Sequence, residues 1–554
     1  MHKKLCIFHG IFAALCGILF LLSMFLNRTY FESVAFDSVF SCQLRQLAAL
    51  SLLFVMGLLF LLAVRTSLSS GWTVLFAMPV GICLWVFASM LLLLTGIPYT
   101  LFLTLALIGL LLAALYLLRQ HVPAFKTVSA LSPVQGIQES AHLLLFFLGL
   151  MFLTASGFVY SFVSYDSFFY FVNYGHTLTI LGNFRDIVGE NSFTLTNISQ
   201  FLPLVHSYMS FWGLDQAYQI QAFLTLNILT AFFCVLRQCT LEILTQDKKA
   251  VLYAGLFTLL LASSTSFLVA SSWVLANMYC MTYIFFLFLP SLIGTVLPGR
   301  GTEKEDRRDS LLLIGIFFTA LALLRKDGII FAAFFLICFC SIELFSRRQL
   351  ALLFLPASLA ELWWLFYVRV ILNAGVTQAS LTSIANNKNV FFILLIIAAS
   401  YFYIAWGHSI LLWISDRLPR FCTPYAVMLF GMCCLMGAAF LKKADIIIDN
   451  VDFVIRNMFR YPSSWGISAL FFGVLIVFSI VRGPFLDYFH FLWAGYALLN
   501  LASYCLVDSK AFWVNWDDSY NRVLQQILPV FVFIMALKSL ALLQSDRPDH
   551  SSES

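Results

Sequence analysis

The chain has 554 residues, 61% of them hydrophobic and 11% charged, with a mean hydropathy of +0.92. A soluble domain is about 45–50% apolar and about 25% charged, so lipid rather than water must be the main solvent here. The net charge of +5 is small and dispersed, without a basic run, which argues against nucleic acid as a partner.

A spanning helix takes roughly 20 apolar residues. Lys3 and Lys4 precede an apolar run at 5–26 with no small-residue cleavage site after it, which reads as a retained signal anchor. Further runs follow at 47–64, 72–95, 99–118 and 141–163, then at 216–236, 250–270, 277–297, 311–324, 329–345 and 350–372. The last are at 390–412, 423–441, 464–482, 484–506 and 521–542. The expectation is an all-α polytopic membrane protein of about sixteen transmembrane helices. Most of the 13 cysteines lie inside these runs, as small buried hydrophobes do, and none has zinc-ligand spacing.

Short loops with Arg65, Arg119 and Lys126, Lys248 and Lys249, and Arg347 and Arg348 place the N-terminus in the cytoplasm. The C-terminus then also lies inside, and residues 544–554 form a polar, disordered cytoplasmic tail. The largest outer loop is 164–215, after the fifth span, with smaller ones at 373–389, 442–463 and 507–520.

Asp166 emerges from the fifth span and is followed at once by Phe168, Phe169 and Tyr170. An acid at the membrane edge beside aromatics suits chemistry at headgroup depth. From these residues alone, an N-cap in front of an interfacial aromatic belt is the better fit. The continuation through His176 to Ile180 has the pattern of a helix lying in the interface. Glu361, beside Trp363 and Trp364 inside a span, is costly in lipid and should face the protein interior or an aqueous cavity.

Asp166, Ser167 and Tyr170, just after a span and opening a long outer loop, resemble the first-loop acid motif of GT-C superfamily glycosyltransferases, the bacterial mannosyltransferase and aminoarabinose-transferase types. Phe171 stands where many of them have His. Pro203 to His206 and Trp212 to Asp215 are similar to the end of that loop. Leu323 to Gly328, with Arg325 and Lys326, is similar to a turn between two spans, and Asp518 to Pro529, with Arg522, to the start of a late helix. The likeness covers about 140–540. It implies a GT-C-like helical bundle, with residues 1–135 as an added four-helix module and 136–543 as the catalytic transmembrane core.

The resemblance further implies transfer of a sugar from a polyprenyl-phosphate donor to a cell-envelope acceptor, with inversion, on the outer face of a bacterial plasma membrane. Asp166 would be the base, while Arg522, Lys326 and Arg325 would meet the donor phosphate. Tyr170, His176, Asp186, Glu190 and His206 are candidate substrate contacts. A divalent metal, Mg or Mn, is a candidate cofactor, although Asn277 stands near where some members carry a second acid. Two other classes fit a many-span protein. A polymerase or ligase of the O-antigen type would carry its large loop late in the chain, and a transporter would show paired halves with broken helices.

Overall fold

The computed structural model describes residues 2–30, 36–64, 70–121, 141–156, 171–187, 199–214, 218–272, 276–296, 304–325, 328–341, 345–372, 388–417, 423–456, 473–474, 477, 488–507 and 523–545. Among them there is no strand. The helices are α1 His2–Tyr30, α2 Phe36–Val64, α3 Ser70–Thr95, α4 Leu101–His121 and α5 Ala141–Ala155. Next come α6 Asn173–Leu181, α7 Phe201–Phe211, α8 Tyr218–Leu244, α9 Asp247–Ser263, α10 Thr265–Ser272, α11 Ala276–Val296, α12 Lys304–Leu324 and α13 Gly328–Ser341. The chain continues through α14 Arg347–Phe366, α15 Lys388–Phe402, α16 His408–Ser415, α17 Pro424–Ile455, α18 Tyr488–Val507 and α19 Leu528–Ser545.

Seven helical stretches are long and apolar enough to cross a membrane: Lys3–Met24, Phe40–Val64, Trp72–Thr95, Leu101–Leu118, Tyr218–Leu244, Arg347–Phe366 and Val390–Ser415. Shorter apolar helices include Ala141–Ala155, Leu311–Leu324 and Gly328–Ser341. Large apolar side chains face outward on these helices, among them Phe102 at 78% exposure and Phe391 at 64%. Water would not tolerate so many, and lipid does. This is an all-α membrane protein.

Three departures from the expected spans have local causes. The run at 250–270 is two helices, because Ser264 turns to an extended backbone and its hydroxyl accepts from the Phe267 N–H at 3.1 Å, ending α9 and capping α10. The runs at 350–372 and 390–412 each contain a widened π turn, Tyr367–Ile371 and Tyr403–Gly407. The run at 423–441 continues as helix to Ile455, so Asp445, Asp449 and Asp452 sit on α17 itself, and Asp452 pairs with Arg456 one turn on at 2.5 Å. The run at 464–482 lies almost wholly outside the described residues.

α2 and α3 run antiparallel in backbone contact. A Cβ on Gly57 would lie 1.8 Å from the Ala77 carbonyl oxygen, and one on Gly81 would lie 1.9 Å from that of Leu53. Only glycine permits such an approach, a common device for packing helices in lipid. α1 and α5 run parallel, with Phe12 stacked on Phe146 at 5.1 Å and closing over Gly149. One hydrophobic cluster extends from Ala49 on α2 to Leu537 on α19, so the N-terminal helices share a core with the rest.

One end of the bundle carries the α8–α9 turn, tied by Arg237 and Asp247 at 2.6 Å. At the start of α14, Ser346 and Gln349 form a reciprocal capping box, and Arg347 donates to the Ala405 carbonyl at 2.6 Å. The candidate site lies at the opposite end.

Candidate functional site

α6 and α7 pack on each other and form that opposite end. Gly175 on α6 makes this possible, since a Cβ there would lie 2.6 Å from the Pro203 carbonyl oxygen and 2.8 Å from the His206 Cβ. α6 ends at Gly182, whose φ of +70° suits glycine and whose carbonyl accepts from the Tyr99 N–H at 2.8 Å. Pro203 falls in the first turn of α7, where no intrahelical N–H is lost.

Nine residues of α7, Phe201 to Met209, are buried. The helix is held by the Trp85 indole donating to the Leu204 carbonyl at 2.9 Å and by the Tyr208 hydroxyl donating to the Ala49 carbonyl at 2.7 Å. The Tyr99 and Ser207 hydroxyls also pair. Trp85 lies about ten residues, or roughly 15 Å, before the end of α3. The loop segment is thus packed down among the long helices rather than laid over them.

The turn between α12 and α13 meets this layer. The Ser199 hydroxyl donates to the Leu323 carbonyl. The turn is tight because Gly328 brings its backbone against α12, where a Cβ would lie 2.2 Å from the Leu321 carbonyl oxygen. Arg325, half-buried, lies over the Phe331 ring at 5.3 Å, and Phe331 packs on Tyr496 at 5.6 Å. The Tyr496 hydroxyl is 3.2 Å from the Val523 carbonyl oxygen and 3.3 Å from Gln526 Oε1. Gln526 Nε2 then donates to buried Asn277 Oδ1 at 2.9 Å. The Arg325 turn, the middle of α18 and the starts of α11 and α19 are therefore tied together.

Asp166, Tyr170, Glu190, Lys326 and Arg522 lie outside the described residues. Phe171, Arg325 and Val523 adjoin three of them, Tyr170, Lys326 and Arg522. His176 is exposed on α6, and Asp186 is exposed in a short turn where its carboxylate accepts from Asn183 at 2.6 Å. His206 is buried on α7, and burial pushes its pKa down to about 3, which keeps the imidazole neutral. Asn277 is a partner in the polar tie just described, not a bystander. Glu361 is buried and faces the protein interior. Among the described residues, no three His, Cys, Asp or Glu side chains come together as a metal site would require.

Sequence reasoning missed Arg185. It is exposed beside Tyr367, while its neighbour Phe184 is buried against Trp364 at 5.3 Å and Tyr367 at 6.1 Å. The Tyr367 hydroxyl donates to the Leu93 carbonyl at 3.2 Å, binding α14 to α3. A single Arg between Phe and Asp carries little signal on its own. The aromatic partner that locates it is far along the chain. A guanidinium grips phosphate oxygens through parallel N–H bonds, and Arg325 and Arg185 are two of the described Arg side chains.

Comparison with known proteins returned no matching family model, no matching curated protein and no matching solved structure.

Proposed function

We propose that the chain is a membrane-embedded glycosyltransferase that moves a sugar from a polyprenyl-phosphate donor to a cell-envelope acceptor. On this reading the reacting end faces outward from a bacterial plasma membrane, with both termini cytoplasmic. The reading rests on four motifs that follow the GT-C order. The observation that carries it furthest is that the 199–214 segment, the Arg325 turn and the chain from Val523 onward gather at one end of the bundle.

Asp166 takes the proton of the acceptor hydroxyl as that oxygen attacks the anomeric carbon. The new C–O bond forms as the bond from that carbon to the phosphate oxygen breaks, and the polyprenyl phosphate leaves with the electron pair. Arg522, Arg325 and Lys326 meet the charge that gathers on it, where water is scarce and fixed cations act strongly. A single displacement of this kind inverts the anomeric centre. The isoprenoid chain lies along apolar helix faces in the bilayer.

The test compares cell-envelope glycans by mass spectrometry in cells with the wild-type protein, without it, and with Asp166→Asn or Arg522→Ala. Loss of one sugar in the deletion, reproduced by Asp166→Asn at normal protein levels, is expected. Arg522→Ala should reduce use of the lipid-linked donor by about ten- to a hundredfold. Full transfer by Asp166→Asn, or labelling of a cysteine at 166 only from the cytoplasm, would remove the proposal.

A further inference from the structure

Glu361 is a buried carboxylic residue, at 7% exposure. It sits within Arg347–Phe366, a helix fit to span a membrane, on the face that also buries Leu353, Phe354, Ala357 and Ser358. No hydrogen-bond donor among the described residues reaches it. An isolated carboxyl group in an apolar interior is expensive, and Leu or Met would fill the same space without that cost.

Its surroundings indicate what would satisfy it. α12 and α14 run parallel, and Leu353 lies 3.6 Å from where a Cβ on Gly315 would be. About eight residues further along each helix, roughly 12 Å, Glu361 is level with Leu323, beside the Arg325 turn. Trp364 lies nearly one turn beyond Glu361 on an adjacent face and is half-buried against Phe184. A buried carboxyl group thus lies just beneath an aromatic layer, at the depth of the proposed reacting end. A pyranose ring offers what this corner lacks, hydroxyl hydrogens for the carboxyl group, and an apolar C–H face for an indole.

We infer that Glu361 accepts hydrogen bonds from the hydroxyl groups of a neutral sugar ring seated against Trp364. The inference rests on the glycosyltransferase reading and makes Glu361 the residue that holds the donor's sugar, while the cations hold its phosphate.

The experiment uses the full chain in nanodiscs. Wild type, Glu361→Gln and Glu361→Leu are titrated with polyprenyl-phosphate-linked glucose, mannose and galactose, and with polyprenyl phosphate alone. Thermal unfolding is followed in parallel. One glycolipid should bind the wild type more tightly than the bare lipid does. Glu361→Leu should lose about ten- to a hundredfold on that glycolipid, the worth of one or two hydrogen bonds to a buried carboxyl group, and Glu361→Gln somewhat less. Binding of bare polyprenyl phosphate should not change, and Glu361→Leu should melt no lower than the wild type. The same glycolipid should shield Glu361 from dicyclohexylcarbodiimide, read by peptide mass spectrometry on the unmodified chain even where a variant does not fold.

Glycolipid binding that survives both substitutions overturns the inference and leaves the transferase reading standing. Shielding by bare polyprenyl phosphate or by sodium ion does the same. A wild-type protein that binds neither glycolipid nor bare lipid overturns both.

Discussion

Replacing Gly81 by Ala tests whether α2 and α3 meet through their backbones. The added Cβ would lie 1.9 Å from the Leu53 carbonyl oxygen and 2.8 Å from its carbon, whereas ordinary contact begins at 3.4 Å. The helices must part by roughly 1.5 Å, and the atom in the way is mid-helix backbone that cannot swing aside. A gap of about 0.5–1 Å already forfeits a quarter to a half of each contact's dispersion energy. Against this stands the helix propensity of Ala over Gly, about 0.8–1 kcal/mol. Overpacking costs about 1–3 kcal/mol, and a clash with backbone belongs at the upper end, so a net loss of about 2 kcal/mol is expected.

The control is Gly109→Ala on α4, where a Cβ would meet nothing within 4 Å and only the propensity gain remains. Both variants are compared with the wild type by thermal unfolding in one detergent. Gly81→Ala should melt below the wild type and Gly109→Ala at or above it. Equal stability of the two variants would refute the backbone contact.

Gln526→Leu removes the donor to Asn277 and a partner of the Tyr496 hydroxyl, leaving buried polar atoms unmet. A loss of about 1–3 kcal/mol is expected in the same unfolding measurement, while a loss no larger than that of an exposed substitution would show that the tie carries no weight. His206 gives a pH test. Its folded pKa of about 3 lies below the unfolded value, so between the two only the unfolded chain takes up the proton. Stability is therefore full above about pH 6.5 and falls as pH drops from there towards 3. His206→Asn should flatten that fall in melting temperature between pH 7 and 4, and an unchanged slope in the variant would disprove it.

The helical, lipid-facing character of the chain was legible because apolar runs of spanning length leave little choice of structure. The Arg325 turn was legible too, since basic and acidic residues followed by Gly328 interrupt two apolar runs. A helix through His176 was legible, and it forms as α6. α7 was not legible as a buried element. Its Pro203 and His206 read as loop, and the groups that bury it, Trp85, the Ala49 carbonyl that meets Tyr208, and Tyr279, whose ring lies 6.4 Å from that of Phe201, are distant in sequence. The break at Ser264 and the π turns were hidden because hydropathy sums over side chains and is blind to a single cap or an extra residue in a turn. Glu361 was legible as a costly residue, and its inward face accords with that, but nothing near it in the chain announces Phe184 overhead.

The contact between Ser199 and Leu323 joins residues 124 positions apart. At about 5–20 residues per second, a ribosome needs roughly 6–25 s to supply the second after the first. During that interval α7 can already meet Trp85 and Ala49, which were made earlier, but its remaining flank has no mate. Synthesis thus orders the assembly of this end: the Arg325 turn is supplied well after the α7 flank that it meets.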